Sequence, residues 1–253
     1  MQVTFLGTGT SQGVPVIGCT CDVCQSQDHK DIRLRCSVWI ETDNNSFVID
    51  TGPDFRQQML RSKVEKVDAV LFTHEHKDHT AGLDDVRAYN FKYDMDMPLY
   101  GNKNVEICLK RDYYYAFSDT KYPGVPMLDF RRISNEPFEF NNDTITPILV
   151  WHYKLPVFGY RIGDFTYITD AKTIDDEEIE KIKGSKVLVI NALRKQEHLS
   201  HFNVDEALDM VDRIKPERAY FTHISHLLGK HENVAQELPP NVQIAYDELK
   251  IRV

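Results

Sequence analysis

The chain has 253 residues, 42% of them hydrophobic and 27% charged, with a net charge of -9 at pH 7. That is enough apolar material for a large core without disulfide scaffolding, and no tract is biased enough for disorder. The acidic balance weighs against a protein that grips nucleic-acid phosphates, and no stretch approaches the ~20 apolar residues of a membrane span.

The N-terminus, MQVTFLGTGT, has neither the basic start nor the apolar run of a secretory signal, so the expected location is cytoplasmic. A first strand over 2–7 runs into GTGTSQG. That loop lacks the Gly-Lys-Ser/Thr ending of a phosphate-binding loop and reads as a glycine turn near the site. GCTCDVC follows at 18–24 and places Cys19, Cys21 and Cys24 within six positions. The chain holds five cysteines, an odd number. Clustered cysteines in a reducing compartment bind metal or do redox work, and the residues alone leave both open. Cys36 and Cys108 stand apart and read as small buried apolar groups.

Strands are expected over 37–42 and 46–52, joined as a hairpin by TDNNS, and over 67–74, because these short runs are rich in β-branched and aromatic residues. A helix follows over 81–91. The stretch 100–140, with LKRDYYYAF and KYPGVPMLDF, is less regular and reads as a lid or insertion in a single domain, 1–253. Further strands are expected at 144–152, 158–163, 165–170, 186–193, 218–223 and 242–247. The helix at 175–184 has acids first, lysines last and a glycine stop. The helix at 203–216 opens with Asn203 and Glu206 in capping-box spacing and ends at Pro216. The class is mixed α/β.

The chemistry collects in VLFTHEHKDHTAGLDD. His74 and His76 are two apart, so an extended backbone points both to one side, and Asp78 and His79 open the next helix. Three later apolar runs each deliver one His or Asp at the last position: PILVWH ends in His152, FTYITD in Asp170 and RAYFTH in His223. Five histidines with two carboxylates form a two-metal set that suits zinc, manganese or iron better than calcium or magnesium. His29, His198 and His231 read as surface or loop residues.

THEHKDH, with the later His, Asp and His, resembles the H-x-H-x-D-H signature of the metallo-β-lactamase superfamily, whose fold is an αββα four-layer sandwich. The resemblance implies that His74, His76 and His152 hold one metal, that Asp78, His79 and His223 hold a second, and that Asp170 bridges them. GTGTSQGVPVIGCTCDVC, HYKLPVFGY, SHFNVDEAL and THISH further resemble the PhnP-like phosphoribosyl cyclic phosphodiesterase branch. There the three cysteines join a histidine in a structural zinc site, which here implies Cys19, Cys21, Cys24 and His226. Cys₃His is a normal closed set for structural zinc.

The implied activity is metal-dependent hydrolysis of a small cyclic or nucleotide-like phosphodiester, with two active-site zinc or manganese ions sharing the attacking hydroxide. By position, His201 matches the histidine that this branch and the related tRNA-processing nucleases use near the leaving group, so it is the expected proton donor. Asp78 is expected to orient the water as well as bind metal, and Lys154 to contact a substrate phosphate. The expected partner is a small-molecule substrate, with no nucleic acid and no membrane, and a homodimer is left open. Two alternatives are a tRNA 3′-processing nuclease, which needs a basic arm not evident here, and a non-catalytic protein of the PqqB kind. PqqB carries the cysteine motif with a degraded H-x-H-x-D-H signature, whereas all seven positions are filled here.

Overall fold

The computed structural model describes residues 1–120 and 122–253. Two seven-stranded sheets form the centre. The first contains β1 (Gln2–Gly7), β2 (Ser37–Glu41), β3 (Ser46–Ile49), β4 (Ala69–Leu71), β5 (Met97–Gly101) and β6 (Leu128–Arg132), with β14 (Lys250–Arg252) beside β1. The second contains β7 (Phe138–Phe140), β8 (Asp143–His152), β9 (Leu155–Ile162), β10 (Phe165–Tyr167), β11 (Val187–Asn191), β12 (Arg218–Thr222) and β13 (Val242–Ile244).

Side-chain alternation explains the layers. In β2, Val38 and Ile40 enter the core between the sheets, while Trp39 faces outward. In β11, Val187 and Val189 point inward, and Leu188 and Ile190 point out. Successive residues of a strand face opposite sides, so a strand apolar throughout must be covered on both. The first sheet's outer face is covered by α1 (Phe55–Ser62), α3 (Arg87–Tyr93) and α4 (Lys103–Asp112), after the short α2 (Lys77–Thr80). The second sheet's outer face is covered by α6 (Asp176–Ile182) and α7 (Val204–Ile214). The result is the αββα sandwich.

The capping box of α7 is formed: Asn203 accepts from the Glu206 backbone N–H, and Glu206 accepts from the Asn203 backbone N–H. Other boundaries move. The run 67–74 is a strand only over Ala69–Leu71, because the chain leaves the sheet to present its histidines. The stretch 81–91 divides into a 3₁₀ turn at Leu83–Val86 and α3. Within 100–140, β5, α4 and β6 extend the first sheet and its helical layer; at α5 (Tyr114–Phe117), the hydroxyl of the preceding Tyr113 donates to the Thr80 carbonyl of α2, and that of Tyr115 donates to Asp84 in the 3₁₀ turn. Lys121, inside that stretch, lies outside the described residues. No helix among the described residues is long and apolar enough to cross a membrane.

Candidate metal centres

One edge of the sandwich carries the chemistry, and strand direction is the reason. β3 and β4 are parallel, so Asp50 and His74 emerge together. β10, β11 and β12 are parallel, and β8 runs in their direction because each is antiparallel to β9 or one step from it. His152, Asp170, the loop to His201, and His223 therefore leave the second sheet on one side. Asp50, Asp170 and His223 have left-handed backbones, with φ of 64°, 56° and 57°. Such conformations are rare outside glycine and concentrate at functional sites.

All seven expected ligands converge. The rings of His74 and His76 are 4.6 Å apart, and those of His76 and His152 are 5.3 Å apart. His79 Nε2 lies 3.2 Å from a carboxylate oxygen of Asp78 and 3.2 Å from one of Asp170. His223 Nε2 lies 3.2 Å from the other Asp170 oxygen and 3.9 Å from Asp78. Asp170 thus faces both sides of the cluster. The His79 side is fully buried, and His76 is exposed, so the site opens toward His76.

The nitrogens fit metal. Nε2 of His74, His79 and His223 are buried with no hydrogen-bond partner, a costly state for a polar atom unless something else binds it. Charge points the same way. Burial opposes a charge on Asp170, yet His223 and His79 hold its carboxyl well below the usual range. Burial likewise opposes a charge on His79, yet Asp78, Asp170 and Asp50 hold its pKa well above the ordinary value. Three carboxylates demand a cation here, and a metal ion would supply it in place of a proton.

Asp50 and Thr73 were not singled out by the sequence. Asp50 Oδ2 accepts from His79 Nδ1 at 2.7 Å and from Thr73 Oγ1 at 2.8 Å, and its Oδ1 accepts from the Thr73 backbone N–H. The Thr73 hydroxyl proton is committed to Asp50, so its oxygen accepts from His74 Nδ1 at 2.9 Å. Both rings are then held with Nε2 free to bind. The signal was available, since FVID ends an apolar run in an acid just as FTYITD does. His152 Nδ1 donates to the Ser200 carbonyl at 2.8 Å, which fixes that ring too.

His201 lies inside the site. Its ring stacks on His223 at 4.8 Å and sits 4.5 Å from His152, and Nδ1 is 3.8 Å from Asp170. Burial, reinforced by His223 and opposed by Asp170, pushes its pKa down to about 2. His201 also groups with His152 and Asp170 at metal-binding spacing. Lys154 stands at the groove beside His76 and His152. His198 is half-buried, with its ring 5.0 Å from His201. His231 is a correction: it is buried, because Arg33 and Asp31 fold over it.

The second cluster joins the two ends of the chain. Sγ of Cys19, Cys21 and Cys24 lie 3.4, 3.4 and 3.5 Å from His226 Nδ1. Zinc bonds of ~2.3 Å to sulfur and ~2.0 Å to nitrogen in a tetrahedron give S···N edges of about 3.5 Å. Cys21 is drawn down to about 6 by the Cys24 backbone N–H and by His226, which favours the thiolate that binds metal.

Known proteins match this arrangement. A family described as beta-lactamase superfamily domain matches residues 45–224. A crystal structure of a new diphosphatase from the PhnP family superposes with a TM-score of 0.93 at 38% identity, covering 100% of this chain and 97% of that one. An octanoyltransferase of Porphyromonas gingivalis is 39% identical over 99% of this chain and 51% of its own length. A ribonuclease Z of Staphylococcus saprophyticus is 26% identical over 64% of this chain and 49% of its own length. The chain thus spans about half the length of these curated relatives.

Proposed function

The chain belongs to the beta-lactamase superfamily, and on that basis we propose that this hydrolase uses two divalent metal ions to cleave a phosphodiester-type linkage in a small substrate. The observation that carries the reading is the convergence of unpartnered imidazole nitrogens on the oxygens of Asp78 and Asp170 at one open edge. His74, His76 and His152 would hold one ion, Asp78, His79 and His223 the other, and Asp170 both; the Cys₃His clip would hold a separate structural zinc. A bound metal pair supplies Lewis acidity that activates water and neutralises charge on a phosphoryl group.

The chain's own residues do the rest. Asp50 and Thr73 hold the His79 and His74 rings in the binding tautomer. Asp78 is close enough to His79 and His223 to orient the attacking water beside them. His201, stacked on His223 and 3.8 Å from Asp170, would take the proton that the attacking water releases and return it to the leaving oxygen.

The likeness to a PhnP-family diphosphatase supports phosphoryl chemistry and favours a second reading, in which the linkage is a diphosphate rather than a diester. Metal analysis with a hydrolysis panel tests both. The panel holds an aryl phosphodiester, cyclic nucleotides, a phosphoribosyl cyclic phosphate, a dinucleoside diphosphate and precursor tRNA. Cleavage of a small diester or diphosphate is expected. Cleavage of precursor tRNA alone would overturn the proposal, and so would inertness with both zinc and manganese.

A further inference from the structure

Beside the metal-facing residues runs a groove of about 490 Å³, lined by His76 and His152 together with Tyr153, Lys154, Leu199 and Ser200. A phosphoryl group would fill only a small part of that space, which lies in the range of pockets for nucleoside-sized ligands. Its walls are unusual for a protein surface. Tyr153 is 53% exposed and Leu199 is 70% exposed, so two large apolar side chains of the lining stand open to solvent.

The backbone beneath Tyr153 adds a second observation. His152 pairs with Leu155 across β8 and β9, so Tyr153 and Lys154 form a two-residue turn. Tyr153 has φ of 58°. Glycine and asparagine are preferred at that position, and a bulky aromatic there is strained. The eight-pair ladder behind the turn, from Ile145↔Ile162 to His152↔Leu155, holds the strained residue in place. The Lys154 ammonium lies 5.3 Å from the Tyr153 ring centre, which puts a cation at the rim. The Ser200 segment of the lining is tied down as well: the Ser200 carbonyl accepts from His152, and His198 Nδ1 accepts from the Ser200 backbone N–H at 3.3 Å.

We infer that this groove is the specificity subsite for the non-reacting part of the substrate, and that it takes a planar, nucleoside-like group bearing an anionic substituent. Tyr153 and Leu199 supply the exposed apolar surface that the ring lies against. Lys154 pairs with the anion at the outer end. Tyr153 occupies a turn position that a smaller residue would fill with less strain because its ring is what the substrate meets. The inference rests on the phosphodiester reading for its link to turnover but not for binding.

The test compares two esters that release the same p-nitrophenolate. One is the 5′-(p-nitrophenyl) ester of thymidine 3′,5′-bisphosphate, whose 3′-phosphate is the anion offered to Lys154, and the other is methyl p-nitrophenyl phosphate. The metal-loaded wild type should favour the nucleoside ester in kcat/KM by at least about tenfold, as expected for one stacked base. In Tyr153→Asn and in Leu199→Ser that ratio should fall toward one. Both side chains are exposed and Asn suits the turn, so these variants keep the fold. Equilibrium dialysis gives a reading independent of turnover: thymidine 3′,5′-bisphosphate should bind more weakly to Tyr153→Asn and to Lys154→Gln than to the wild type. A wild type without preference, or a ratio unchanged in both wall variants, would overturn the inference. If neither ester is hydrolysed, the proposed function fails, and dialysis still decides the groove: weaker nucleotide binding by the variants upholds it, and equal binding removes it.

Discussion

Asp50 accepts from His79 Nδ1 at 2.7 Å, with both side chains fully buried, and through Thr73 the same carboxylate also governs the ring of His74. One acid outside the expected ligand set therefore orients a ligand on each side of the centre. Removing its charge should loosen both. Asp50→Asn is expected to lower metal affinity by about 10–100-fold, read by metal titration, with turnover falling in parallel. Unchanged affinity would show that the rings are held by packing alone.

The Cys₃His clip is spatially separate in its ligands but shares a segment with the catalytic edge, since His226 lies three residues after His223. Ile224 N–H donates to the Thr8 carbonyl, and Thr10 N–H donates to the Ile224 carbonyl, which ties the N-terminal loop to that segment. Cys21→Ser should lose one tightly held zinc and lower the melting temperature, while the histidine cluster still takes up metal. Metal stoichiometry by elemental analysis checks this. Loss of all metal at once would mean that the two centres fold as one.

His201→Ala should reduce turnover by about 10²–10⁴-fold, the usual contribution of a general acid. Metal content should stay that of the wild type. A drop in metal content together with activity would reassign His201 as a ligand beside His152 and Asp170, a grouping that the geometry also allows.

Gly52 lies against the metal-binding turn. A Cβ there would collide with the backbone carbonyl of Asp78. The neighbour is backbone in a packed region and cannot swing away, so Gly52→Ala should cost about 1–3 kcal/mol and displace Asp78. Chemical denaturation measures the first effect, and metal titration the second.

His231 links pH to stability. Its Nδ1 accepts from Arg33 at 3.2 Å, and Lys30, Asp28 and Asp31 are the other charged groups around it. Burial, with Arg33 next, pushes its pKa from 6.5 down to about 4. The unfolded chain therefore binds the proton that the folded chain refuses between those values. Stability should be unaffected by this group above about pH 6.5 and should fall as pH drops toward 4. His231→Gln should flatten that part of the curve in urea melts taken across the window.

Much was legible from residue order alone. Apolar runs that end in His or Asp marked the strand ends, and Asn203 with Glu206 marked the start of α7, because capping and strand burial are local effects. Strand β5 and the edge strands β6, β7 and β14 were not marked. Leu128–Arg132 carries Asp129, Arg131 and Arg132, and no local pattern distinguishes such a strand from a loop until the sheet beside it exists. Helix α1 escaped notice for a related reason: Phe55–Ser62 buries only Phe55, Gln58 and Met59.

The sequence by itself determined the inventory: seven metal-type side chains at strand ends or at the start of the helix that follows, and a three-cysteine cluster matched by resemblance to a distant histidine. Only the tertiary structure decided their relations. Parallel strand direction brings the ends to one edge, Asp50 and Thr73 fix which ring nitrogens face inward, and Arg33 buries a histidine that its sequence neighbours leave unremarkable. These outcomes depend on contacts between segments far apart in the chain, such as Arg33 with His231, 198 residues apart. Local sequence sets backbone preferences, whereas packing sets which polar atoms lose water and must find a partner.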